Sequence, residues 1–159
     1  MDTTELESSY RSLLELVRAG GFRPPAAQAD WPAELVLAHI ACTDRLLIAV
    51  TASLLGGDRP SYDNTAAGSE VALQALAQAA GDWGGLVATV RQCGLELVLL
   101  ARQLDAAQTA VAVPTRIVDG GEVRADGPVP WAGVLNTQAQ VHLPSHIQQL
   151  RASADRVGA

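Results

Sequence analysis

From Ala33 to Leu55 the chain is apolar on most sides of any helix drawn through it, with Glu34, Asp44 and Arg45 its only charged residues. A helix of this kind has no polar face to give to water, so it must be central and sheathed by other elements. Asp30-Trp31-Pro32-Ala33-Glu34 opens it, with Asp30 or Trp31 near the cap and Pro32 in the first turn. Gly56-Gly57 ends it.

The other segments supply that sheath. Thr3-Thr4-Glu5 starts a helix whose Leu6, Tyr10, Leu13, Leu14 and Val17 keep helical spacing until Gly20-Gly21 stops it. Phe22 to Ala29, with Pro24-Pro25, reads as a loop, and Asp58 to Ser69 as a long crossover. A third helical region spans about Glu70 to Leu104, with a break expected at Gly81 or at Gly84-Gly85. Ala110 to Val118 is β-branched with a proline inside; Asp119-Gly120-Gly121 and Glu122-Val123-Arg124 follow, the pattern of a small edge hairpin or structured loop that Pro128 and Pro130 end. A last helix is expected from Trp131 to Val157. The fold class is therefore all-α: a four-helix bundle with a long crossover and a small β-hairpin or structured loop before the last helix. Residues 1–159 read as one domain.

Composition narrows the function. With 48% apolar and 18% charged residues the chain has a globular balance. Its net charge of −6, with eleven arginines scattered along it and no lysine, argues against nucleic acid as a partner. The start is acidic and lacks a secretory pattern, and no uninterrupted apolar run reaches the ~20 residues that span a bilayer. A soluble, cytoplasmic protein without membrane contact is the expectation. Cys42 and Cys93 read as reduced, buried thiols. Neither a Gly-x-Gly-x-x-Gly motif after a strand nor a phosphate-binding Gly-Lys-Ser/Thr loop is present.

Chemistry concentrates in the histidines. The chain has three, His39, His142 and His146. His142 and His146 are four apart, which on a helix places both imidazoles on one face. His39 lies in the apolar stretch Leu35–Cys42, where a solvated role is improbable. If the two helices face one another, three imidazole nitrogens converge, a donor set suited to a divalent metal with one or more open positions. Pro144 stands between the paired histidines, and a proline inside a helix kinks the axis, which can misaim the pair or aim it. Gln149, one turn beyond His146, is placed to orient a ligand imidazole from behind; Gln138, one turn before His142, is placed to line the pocket. The bland role for both is a helix–helix hydrogen bond. Asp44 and Arg45 read as solvated or ion-paired, and Trp31, Trp83 and Trp131 as packing anchors at helix starts.

Two segments carry a family resemblance. Trp31-Pro32-Ala33-Glu34-Leu35-Val36-Leu37-Ala38-His39-Ile40-Ala41 is similar to the Trp-opened second helix, with its first histidine ligand, of the DinB/YfiT-like metalloenzyme superfamily. His142-Leu143-Pro144-Ser145-His146-Ile147-Gln148-Gln149-Leu150 resembles that family's final-helix pattern. The resemblance implies a four-helix bundle, a zinc or nickel ion held by His39, His142 and His146, and frequent homodimers. It also implies a low-molecular-weight thiol as co-substrate, as in mycothiol-dependent maleylpyruvate isomerase and the bacillithiol or mycothiol S-transferases. The Ala-, Gly- and Val-rich composition fits a GC-rich, actinobacterial host, where the thiol is mycothiol. The isomerases carry a glutamate where His142 stands and an additional C-terminal domain, so isomerisation of maleylpyruvate itself is not expected. The family's usual Arg-Gly after the second paired histidine is replaced by Ile147-Gln148.

Two functions follow as expectations. In the first, the chain is a metal-dependent thiol transferase acting on a small electrophile. In the second, it is a non-catalytic small-molecule-binding or interaction domain, with the histidines hydrogen-bonded in the core and no metal.

Overall fold

Leu6, Tyr10, Leu13 and Val17 recur every three or four residues along helix α1 (Thr4–Arg18), and all four are buried in the computed structural model, which describes residues 1–18, 20–24 and 31–154. Helix α2 (Ala33–Leu55) starts one residue later than expected. Pro32 is extended, and its carbonyl accepts the first bonds of the helix, from the Leu35 and Val36 amides. Asp30 and most of the loop expected at 22–29 lie outside the described residues.

The expected crossover is not irregular throughout. It holds strand β1 (Tyr62–Asp63), a 3₁₀ turn (Thr65–Gly68) and the Ser69 cap of helix α3 (Glu70–Ala80). The third helical region breaks at Gly81, whose φ of +87° suits glycine; Asp82 then caps helix α4 (Trp83–Gln103) by accepting from the Gly85 amide. A single-turn helix α5 (Ala106–Thr109) with a capping box between Asp105 and Gln108 leads into the sheet.

Strands β2 (Ala112–Asp119) and β3 (Glu122–Pro130) form the expected hairpin, closed by Gly120 and Gly121, both at positive φ. Two features correct the expectation. Strand β3 runs through Pro128 and Pro130 to pair with Pro114 and Ala112 instead of ending before them. It tolerates these prolines as an edge strand, in the sheet order β1-β2-β3. The second is β1, which adds to β2 in parallel, so a small three-stranded sheet stands where an all-α chain with a hairpin was expected.

The last helix begins on time at Trp131 but has two pitches. Helix α6 (Trp131–Thr137) passes into a π turn (Gln138–His142) and then helix α7 (Leu143–Ser153). The Leu143 amide reaches back five residues to the Gln138 carbonyl. This widened turn restarts the α-helix so that Pro144 falls in its first turn, where a missing amide proton costs no hydrogen bond. The helix ends at Ser153, not Val157: Ala154 is extended and bridges to Phe22, and 155–157 lie outside the described residues.

The protein is thus mostly helical. α2 packs on α4 and α7, and α1 packs on α4 and α7 from the other side, with one apolar core between them. α2 and α4 are long and apolar enough by composition to cross a bilayer, yet most of α2 is buried inside the fold. The tryptophans anchor helix starts. Trp131 is fully buried and donates to Thr51 Oγ1 at 3.1 Å; Trp83 donates to the Val17 carbonyl at 3.1 Å.

Candidate metal centre

Three elements bring the histidines together. His39 projects from α2, His142 is the last residue of the π turn, and His146 lies one turn into α7. His39 Nε2 is 2.8 Å from His142 Nε2, and His146 Nε2 is 3.2 Å from the same atom. One ligand atom from each of the three falls within 4.8 Å of the others, and no further His, Cys, Asp or Glu among the described residues joins the group.

The outer nitrogens decide where the protons sit. His39 Nδ1 lies 2.7 Å from the Ala67 carbonyl, in the 3₁₀ turn of the crossover. A carbonyl only accepts, so Nδ1 carries the proton and Nε2 presents its lone pair inward. His146 Nδ1 lies 2.9 Å from Gln149 Oε1 and is held in the same tautomer. His142 Nδ1 is buried with no hydrogen-bond partner. If His142 Nε2 holds a proton it can satisfy one neighbour and not both; if Nδ1 holds it, three lone pairs meet.

Extra protons do not resolve this. Burial is the largest cause at each ring: it pushes His39 down to about 4, His142 well below the usual imidazole range, and His146 down as well. At neutral pH the cluster is three uncharged imidazoles with too few protons for their lone pairs. That donor set, with two outer N–H groups anchored on oxygen, fits a divalent cation.

The sites expected for the glutamines divide. Gln149 is exposed but holds His146 from behind. Gln138 does not line the pocket: it is 3% exposed and donates through Nε2 to Asp44 Oδ1 at 2.8 Å. Its partner is the residue that sequence reasoning missed. Asp44 is neither solvated nor ion-paired but fully buried, and it also accepts from the Tyr10 hydroxyl at 2.5 Å. A charged residue on the apolar α2 was the one available signal. Cys42 stays outside the histidine group, and both cysteines are free thiols.

His39 and His146 open onto a cavity of about 430 Å³. Trp31 forms one wall, its ring 5.2 Å from that of His39, and the hairpin tip at Val118–Gly121 forms another. Asp119 on that tip raises the proton affinity of His39 and His146 slightly against the larger effect of burial.

A mostly helical chain with a three-histidine cluster beside a small sheet is the class these observations define. Comparison with solved structures finds a mycothiol-dependent maleylpyruvate isomerase, with a TM-score of 0.70 over 95% of this chain at 14% identity. The likeness shows a shared, mostly helical fold. This chain spans 60% of the length of that isomerase chain. No protein-family model and no curated protein matches the sequence.

Proposed function

We propose that this chain is a divalent-metal-dependent enzyme of DinB type that transfers a low-molecular-weight thiol, of the mycothiol kind, to a small electrophile. The observation that carries the reading is the convergence of three neutral imidazoles on one point, with Nε2 of His39 and His146 turned inward by Ala67 and Gln149. His39, His142 and His146 would hold zinc or nickel, and the open side of the cluster faces the cavity. A metal there supplies positive charge that keeps a thiol deprotonated at neutral pH. Trp31 and the hairpin tip line the cavity beside His39 and His146, which supports an approach for a second substrate from that side. The reading extends to a single four-helix-bundle domain over 1–159. It takes the protein as cytoplasmic, actinobacterial and homodimeric, with small molecules and not nucleic acid or membrane as partners.

The test is metal content of tag-free protein by plasma mass spectrometry, beside a His39→Ala control. About one equivalent of zinc or nickel, lost in the control, is expected. Thiol-conjugation assays with small electrophiles then follow.

One observation favours the second reading, a binding or interaction domain without metal. With the proton of His142 on Nε2, its 2.8 Å contact with His39 is a hydrogen bond that needs no cation. A protein that refuses added metal and shows no thiol conjugation would favour it over the first.

A further inference from the structure

The core holds a carboxyl group that the proposed chemistry does not use. Asp44 is fully buried, and burial pushes its carboxyl up to about 7. Its Oδ1 accepts from Tyr10 and from Gln138, while its Oδ2 and the neighbouring Thr43 Oγ1 have no partner. A half-satisfied acid in an apolar core is poor material for stability, since well-packed hydrophobic residues do as well or better. What such a group can provide is a defined geometry.

The geometry is particular. α2 carries both His39 and Asp44, and the π turn begins at Gln138 and ends at His142. The Asp44–Gln138 bond and the His39–His142 contact therefore cross-link the same two elements. They are five residues apart on α2 and four on the π turn, as antiparallel neighbours require. A π turn is rare, and by fitting five residues into about the arc of four it offsets the direction of every side chain after it. Gln138 is its first residue, and the carbonyl of Gln138 accepts the five-residue bond from Leu143. Tyr10 ties the same carboxyl oxygen to α1, so Asp44 is fixed from a third element.

We propose that Asp44 is the positioning residue of the histidine cluster: by holding Gln138 at the head of the π turn, it sets the rotation of the last helix that points His142 Nε2 at His39. The inference concerns how the cluster is built and does not depend on what occupies it.

Four variants test it: Asp44→Ala, Asp44→Asn, Gln138→Met and Tyr10→Phe. Long-range proton–nitrogen spectra of the imidazoles in metal-free protein report the tautomer and contacts of His142. Cobalt(II) absorption and titration report the assembled cluster. With the helical circular dichroism retained, Gln138→Met and Asp44→Ala shift the His142 resonances. They also weaken cobalt binding about 10–100-fold, the usual cost of losing an orienting partner, while Asp44→Asn, which keeps an oxygen for Gln138, stays within about threefold. Tyr10→Phe, which leaves the Asp44–Gln138 bond in place, lowers stability and shifts the His142 resonances less than Gln138→Met does. If Asp44→Ala does not fold, Gln138→Met decides. A folded Gln138→Met protein with unchanged imidazole resonances overturns the proposal, as does an Asp44→Asn protein no better than Asp44→Ala. Should the parent take up no cobalt, the metal reading falls alone, and the metal-free spectra still decide this one.

Discussion

Gln149 shows how much a single exposed side chain can matter. Among the described residues, its amide oxygen is the one partner of the outer nitrogen of His146. Replacing it with leucine frees that imidazole to rotate and to change tautomer. Zinc affinity of Gln149→Leu, measured by competition with a chromophoric chelator, is expected to fall about tenfold or more, with little change in thermal stability. Gly94 is the opposite case, with no chemistry and a large structural effect. A Cβ there would lie 2.7 Å from two ring carbons of Tyr10, and that ring cannot withdraw without breaking its bond to Asp44. Gly94→Ala is expected to cost about 1–3 kcal/mol of stability by urea denaturation, as overpacking does. At this scale the sequence was readable where a residue stood out from its surroundings. His39 in an apolar helix points to the cluster, but Asp44 in the same helix reads as solvated or ion-paired. The charge pattern of α2 could not show that Tyr10 and Gln138 would reach it, because both partners are distant in sequence.

Between residue and molecule, the elements that frame the cavity depend on one asparagine. Asn64 follows β1 and hydrogen-bonds both polar groups of Val118, donating to its carbonyl at 3.1 Å and accepting from its amide at 2.7 Å. A side chain thus extends the sheet by one backbone-like pair and holds the hairpin tip over His39 and His146. Asn64→Ala is expected to speed amide exchange at Val118 and Asp119 by tenfold or so, about the worth of one net hydrogen bond, while the α2 amides keep their protection. The helices were largely legible because α1 and α4 carry periodic apolar residues and α2 an apolar run too long for a strand, with Gly, Pro or Asp at their ends. The sheet was half legible: Asp119-Gly120-Gly121 marks the hairpin, but Tyr62–Asp63 is too short to show a period of two. The π turn left no compositional sign. Pro144 announced an irregularity and was read as a kink; the chain instead widens one turn ahead of it, keeping the His142 and His146 nitrogens 3.2 Å apart.

For the whole molecule, buried titrating groups set a pH dependence of stability with opposing signs. The histidines have depressed proton affinity in the fold, His39 at about 4, whereas an unfolded chain takes up their protons near 6.5. Their contribution is complete above about pH 6.5 and is lost as pH falls toward 4. Asp44 runs the other way, since its carboxyl is held protonated up to about 7 while an unfolded aspartate ionises near 3.9; its contribution fades as pH rises through that range. Three imidazoles outweigh one carboxyl, so the metal-free protein is expected to lose stability from pH 6.5 down to 4. Asp44→Asn, which removes the opposing group, should steepen that loss. Urea midpoints across this range check both, and a slope unaffected by the substitution would show Asp44 ionised in the fold. Zinc at about a hundred times its dissociation constant should add roughly 2.7 kcal/mol of stability, and none in His39→Ala. The two pitches of the last helix also constrain how the gene can vary. The five residues of the π turn, 138–142, take up about the arc that four take up in an α-helix, so the turn accommodates one extra residue. Were the same residues wound as an ordinary α-helix, His142 and His146 would turn by roughly 100° relative to Trp131 and Leu135, whose side chains are fixed in the core. The molecule could then bury its tryptophan or assemble its histidines, but not both, so in this stretch the count of residues matters as much as their identity.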